Sequence, residues 1–371
     1  MKQLSLLNVS PRSWLRMAAL AGGIALLSSC EDHRVPLPGQ VIQSNNPKPS
    51  WGPTITPQML AVIEELQRLS PVPLNTLTPQ EARTKPTFKD AVNSLLARNG
   101  YPIPQANVTT SERTIPGAGG VPIRVVIYTP AGVSPKAPVL VYYHGGGWVI
   151  GKPEVYEYST QALAQNTGAV VVSVEYRKSP ENKFPIAHED AFAAYQWVRQ
   201  NAASISGDAN RIAVGGESAG GNMAVTVSMM ARDRNVPLPV HILSVYPVAN
   251  NDLTTESYNK YAMAQPLNRP LVEWFVGNYF QSPADGDSPL ISLVDVANLS
   301  GLPPTTIIAA EIDPLLTEGK QLADKLSSVN VPVAYQLYTG VTHEFFGMYG
   351  IIPESAQAQE FAAKRLRAAF Q

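Results

Sequence analysis

Ser218 sits in Gly216-Glu217-Ser218-Ala219-Gly220, a G-x-S-x-G pentapeptide between the apolar run "RIAVGG" (211–216) and a helix-compatible stretch, 219–232. A serine on a sharp strand-to-helix turn is raised above a sheet, at the positive end of the helix dipole. Side chains two residues before and two after such a serine would collide, which accounts for glycine at 216 and 220. A second glycine cluster, "YYHGGGWVIG" (142–151), also follows a strand-like run. Its exposed backbone N–H groups, with that of Ala219, suit a developing oxyanion; one such donor is typically worth about 2.7–4 kcal/mol in a transition state. A phosphate cradle is the rival reading, but the lysine and Ser/Thr of a P-loop are missing.

A serine hydroxyl needs a base to become a nucleophile. Of five histidines, His33 precedes the expected globular body, and His144 belongs to the glycine cluster, where it is expected to prop the loop. His188, beside acidic residues, and His241, inside an apolar run, read as packed or surface histidines. His343, in "TGVTHEFFGM", follows the last strand-like run and lies downstream of Ser218, as the Ser…acid…His order requires. Asp313 ends "TTIIAAEID", one strand earlier, and could fix the imidazole tautomer. Glu311 is expected to point away by strand alternation, while Asp252 and Asp285 are rival acids. Glu217, next to the serine, reads either as tuning the site or as forming a salt bridge, and the structural role is the one expected. Trp148, Trp274, Phe275, Tyr279, Phe345 and Phe346 read equally as pocket lining or as core.

The elements that must position these residues are legible as an alternation. Short β-branched runs lie at 121–130, 137–144, 168–176, 211–216, 240–247, 305–313 and 331–338. Helical stretches at 157–166, 188–203, 219–232, 315–328 and 354–370 separate most of them. This predicts a doubly wound, mostly parallel α/β sheet with helices on both faces. Two Thr-Pro openings, at 56–57 and 78–79, head helical stretches that precede the first strand, so residues 54–105 read as an added cap. Residues 252–290 break the rhythm and are expected to lie over the carboxyl ends of the strands, where open α/β sheets bind ligands.

Of 371 residues, 44% are hydrophobic and the net charge is −1, with signs interspersed. No basic stripe points to nucleic acid. The N-terminus reads as a targeting segment: Lys2, Arg12 and Arg16 flank or precede an apolar run, Met17 to Leu27, too short to span a bilayer. It ends in "LLSSC", which resembles a bacterial lipobox, with Cys30, the only cysteine, as the acylated residue. On that reading residues 1–29 are a signal peptide and the protein is exported and lipid-anchored, facing periplasm or cell exterior. A plain signal peptide with an unused thiol is the alternative, and Glu31 and Asp32 leave open which membrane would hold an anchor. Residues 30–53, rich in proline and without periodicity, read as a tether of roughly 60–70 Å if extended.

Taken together, the Thr-Pro region, "HGGGW", "VEYRKSPENKFPIAHEDA", "GGESAGGNMA", "DPLLTEG" and "HEFFGM" resemble the hormone-sensitive-lipase-like group of α/β-hydrolase esterases over roughly residues 57–371. The resemblance implies the α/β-hydrolase fold, a catalytic triad of Ser218, Asp313 and His343, and oxyanion donors at Gly146, Gly147 and Ala219. It also implies action on short- to medium-chain acyl esters, with no metal or organic cofactor. Two departures are visible: "YRKSPE" where the group usually reads tyrosine-arginine-leucine-alanine-proline-glutamate, and Thr317 in place of a second aspartate after "DPL". An amidase or deacetylase using the same triad remains open. A ligand receptor on this scaffold is the reading from another class; receptors that resemble this group lack the histidine that His343 supplies here.

Overall fold

A computed structural model describes residues 37–371; the expected signal peptide and Cys30 lie outside them. Eight strands form one sheet in the order β1-β2-β4-β3-β5-β6-β7-β8. They are β1 (Val108–Pro116), β2 (Pro122–Pro130), β3 (Ala137–Tyr143), β4 (Val170–Glu175), β5 (Gly207–Glu217), β6 (Ile242–Val245), β7 (Thr305–Ile312) and β8 (Val333–Thr342). β1 and β2 are antiparallel to each other, and β2 to β4; every later pairing is parallel. The expected runs all became strands. β1 had no separate signal, because it is an edge strand whose side chains are nearly all exposed and so carries little apolar patterning.

The helices follow in chain order: α1 (Pro38–Val41), α2 (Pro57–Leu69), α3 (Pro79–Ala82), α4 (Phe88–Arg98), α5 (Glu157–Thr167), α6 (Ile186–Asn201), α7 (Ala219–Asp233), α8 (Glu256–Lys260), α9 (Arg269–Tyr279), α10 (Leu316–Ser328) and α11 (Pro353–Ala369). Strand alternation sorts the core into two layers. Val139, Val141 and Tyr143 of β3 pack with α6, α7 and α10 on one face. Leu140 and Tyr142 pack with α2, α4, α5 and α11 on the other. Among the described residues no helix is long and apolar enough to cross a membrane.

The second Thr-Pro stretch divides into α3 and α4. Thr78 caps the first by accepting from Glu81 N, and Pro86 interrupts the run before Thr87 opens the second. Of the expected tether, residues 37–53 are not a free linker. From residue 37 the chain lies on the body: Ile42 is buried, Gln58 Nε2 donates to Gly39 O, Ser44 Oγ donates to Glu64, and Trp51 packs against the second core layer. Single anchors spaced among prolines leave no periodicity to read.

Glycine at the turn after β5 is dictated by space. A Cβ on Gly216 would lie 2.4 Å from Gly220 O, and one on Gly220 only 1.9 Å from Tyr143 O. The helix start is therefore pressed against β3. Gly220→Ala should destabilise the fold by about 3 kcal/mol or more, because the clash is with backbone that no rotamer change relieves; thermal melting beside the parent protein measures it.

Candidate active site

Every residue picked out for chemistry lies just past the carboxyl end of a strand in the parallel part of the sheet. Ser218 follows β5, the glycine loop follows β3, Asp313 follows β7 and His343 follows β8. Ser218 has φ 59° and ψ −120°, a backbone state that L-residues seldom adopt and that surrounding structure must impose. Its N–H is held by Val245 O at 2.9 Å, and its own carbonyl accepts from Asn222 N at 3.0 Å. These bonds join the turn to β6 on one side and to α7 on the other.

His343 Nδ1 lies 2.7 Å from Asp313 Oδ2. A carboxylate only accepts, so the ring donates from Nδ1 and presents Nε2 as an acceptor. The other Asp313 oxygen accepts from Leu315 N at 2.9 Å, which fixes the carboxylate plane. Both residues are buried, at 3% and 1% exposed. Burial alone would push the imidazole pKa down; the charge of Asp313 and its hydrogen bond outweigh burial and hold it above the ordinary 6.5. Ser218 and His343 line one cavity of ≈ 1040 Å³.

Gly146 and Gly147 line the same cavity. The loop is wound tightly, with Val149 N and Ile150 N both donating to Gly146 O. Gly147 has φ +57°, and a Cβ there would lie 2.3 Å from the Phe275 ring. Among the described residues, the N–H groups of Gly146, Gly147 and Ala219 have no acceptor. Arg83, at the end of α3, ties the N-terminal region to this loop: it donates to Val149 O at 2.8 Å and to Ser179 O at 2.6 Å, and pairs with Glu181 at 2.7 Å.

The cavity walls come from both segments expected to cover the sheet. Ile63, Leu66 and Phe88 reach it from α2 and α4, and Leu267, Leu271 and Phe275 from the insertion. Thr317, the departure noted after "DPL", braces the insertion: its hydroxyl accepts from Ser257 N, and Ser257 Oγ donates to Pro314 O.

The other candidates settle as follows. His144 is buried, with Nδ1 2.7 Å from Gly145 O and its ring stacked on Tyr176 at 4.2 Å, so it props the loop; burial lowers its pKa to about 3. His188 bridges Tyr279 Oη and Asn222 Oδ1, and His241 meets Thr306 Oγ1. Glu311 points away from His343, accepting from Thr54 Oγ1 and Gly340 N. Asp252 and Asp285 cap local turns. Of the six aromatics, Trp148 and Phe275 line the cavity. Tyr279 lies behind Trp148 at 4.6 Å, Trp274 donates to Leu77 O, and Phe345 and Phe346 are core.

One expectation is overturned. Among the described residues Glu217 has no cationic partner; it accepts from Tyr142 Oη at 2.7 Å and from Tyr246 Oη. Burial, then the charge of Glu344, raises its pKa to about 7. Glu344, which accepts from Tyr156 Oη at 2.9 Å and lines the cavity, went unnoticed in the sequence. Its adjacency to His343 was the available signal.

Comparison with known proteins agrees with this architecture. Residues 140–347, more than half the chain, match a family described by its alpha/beta hydrolase fold. Carboxylesterase NlhH of Mycobacterium tuberculosis is 37% identical over 250 residues, covering 67% of this chain and 78% of that one. Ethyl acetate hydrolase of Pseudomonas putida is 30% identical over 302 residues, or 80% and 92% of the two chains. Among solved structures, a thermostable esterase from Pseudomonas putida ECU1011 superposes with a TM-score of 0.78 at 31% identity, covering 86% and 98% of the chains. With its sheet, its glycine-flanked serine turn and relatives of this similarity, the chain belongs to the α/β-hydrolase-fold family, in the hormone-sensitive-lipase-like esterase group, and is a carboxylesterase-type ester hydrolase.

Proposed function

We propose that the protein cleaves short- to medium-chain carboxylic esters through a triad of Ser218, His343 and Asp313. The observation that carries this reading is the imidazole fixed by Asp313 in the same cavity as the strained Ser218. His343 Nε2 takes the Ser218 proton as Oγ attacks the ester carbonyl. The resulting oxyanion is held by the N–H groups of Gly146, Gly147 and Ala219, which have no acceptor among the described residues. The imidazolium then passes its proton to the departing alcohol oxygen as the C–O bond breaks, leaving an acyl-serine. Water attacks that acyl group, again with His343 as base, to release the carboxylic acid and restore the serine. No step calls on a metal or an organic cofactor.

The preference for shorter acyl groups rests on the apolar walls and on the relative whose name specifies ethyl acetate. A panel of p-nitrophenyl esters from acetate to palmitate tests it. Each methylene buried is worth about 0.8 kcal/mol, or about fourfold in kcat/KM, until the walls are met. The optimum is expected between butyrate and octanoate, and a maximum at palmitate would overturn the assignment.

Export and lipid attachment at Cys30 remain part of this proposal. With residues 37–53 packed on the body, the residues between Cys30 and that packed segment, 30–36, would reach about 25 Å at full extension.

A further inference from the structure

The proposed mechanism uses Ser218 and His343 and gives no role to their neighbours, the buried Glu217 and the half-buried Glu344. Burying a carboxyl is costly, and apolar side chains of similar shape would pack as well or better. Glu217 therefore needs a reason other than stability.

Its surroundings supply one. Glu217 ends β5, and the strands on either side each contribute one phenol. Tyr142 of β3 donates to Oε1 at 2.7 Å, and Tyr246, at the end of β6, donates to Oε2. The Tyr246 ring packs against the His343 imidazole, with centroids 4.6 Å apart and planes at 49°. Tyr246 has φ +33°, a conformation that a tyrosine holds only when its neighbours over-determine it. It is gripped at both ends, by its N–H on Ile308 O at 2.6 Å and by its hydroxyl on Glu217. Phe345 abuts the same ring at 5.9 Å.

We propose that Glu217 is a positioning residue for the general base: by holding the Tyr246 hydroxyl, it fixes the ring on which the His343 imidazole rests. The assignment rests on the triad reading above. The titratable groups facing His343 are Asp313, Glu344, Glu217 and Tyr246, and those facing Glu217 are Glu344, Tyr142, Tyr246 and Tyr156. When ionised, Glu217 also favours the protonated imidazole.

Two variants test the proposal. Tyr246→Phe keeps the ring and removes the grip; Glu217→Gln keeps the shape and removes the charge. With p-nitrophenyl butyrate, Tyr246→Phe should lower kcat about tenfold while KM stays within about twofold, because the imidazole is misplaced but the cavity is intact. Glu217→Gln should move the acid limb of the kcat/KM profile to lower pH, which loss of packing alone would not do. Parental kcat in Tyr246→Phe would overturn the proposal whatever the pH profile of Glu217→Gln. Ser218→Ala in the same assay separates the two levels. Activity retained there sinks the triad and with it anything said to position it. A dead Ser218→Ala beside a fully active Tyr246→Phe removes only the role given to Glu217.

Discussion

Ser218→Ala is expected to lower kcat for p-nitrophenyl butyrate by about 10⁶-fold, the scale on which loss of a nucleophile silences a serine hydrolase. Alanine fits the turn without new clashes, because the crowding there falls on residues 216 and 220, so the variant should melt close to the parent. The parent should also be labelled by a fluorophosphonate, with the added mass on the peptide that carries Ser218, and the variant should not. Equal rates in the two proteins would mean that another group performs the chemistry.

The next largest effect is expected from Asp313→Asn. An amide in that place can hold the imidazole in the wrong tautomer and cannot stabilise the imidazolium, so kcat should fall about 10⁴-fold. The pH dependence separates this from general damage. As the proposed base, His343 would work only when neutral, and in the parent the charge of Asp313 outweighs burial and keeps the ring protonated to higher pH than usual. The acid limb of kcat/KM should therefore lie above 6.5 in the parent and move downward in the variant, where burial dominates. The stability consequence has the opposite sign. A raised pKa in the folded state contributes stability below the unfolded value, and that contribution is lost as pH rises through the folded value. Asp313→Asn should thus cost most stability in acid, as urea unfolding at two pH values would show.

Much of this site could be read from residue types because the chemistry leaves backbone signatures. Gly216 and Gly220 are required by contacts shorter than any side chain tolerates, and a strand, a sharp turn and a helix are all visible in one short stretch. Asp313 and His343 stood out by position, the first ending one β-branched run and the second in the loop after the next. What escaped is held by side chains whose partners lie across the sheet. Tyr142 and Tyr246 look like core aromatics along the chain, and only the order β3-β5-β6 shows that their hydroxyls converge on Glu217. A salt bridge was the natural expectation for an acid whose neighbours were unknown. β1 and residues 37–53 were missed for a different reason. An exposed edge strand and a proline-rich segment held by isolated anchors lack the repeating pattern on which such reading depends.

The Phe275 ring occupies the space where Gly147 lacks a side chain, so the roof of the cavity rests directly on the glycine loop. An acyl group bulky enough to lift α9 would also unload that loop. Size discrimination in this enzyme should then register in turnover as much as in affinity. Reshaping the roof for larger esters would need a new support for residue 147, not merely a smaller side chain at 275.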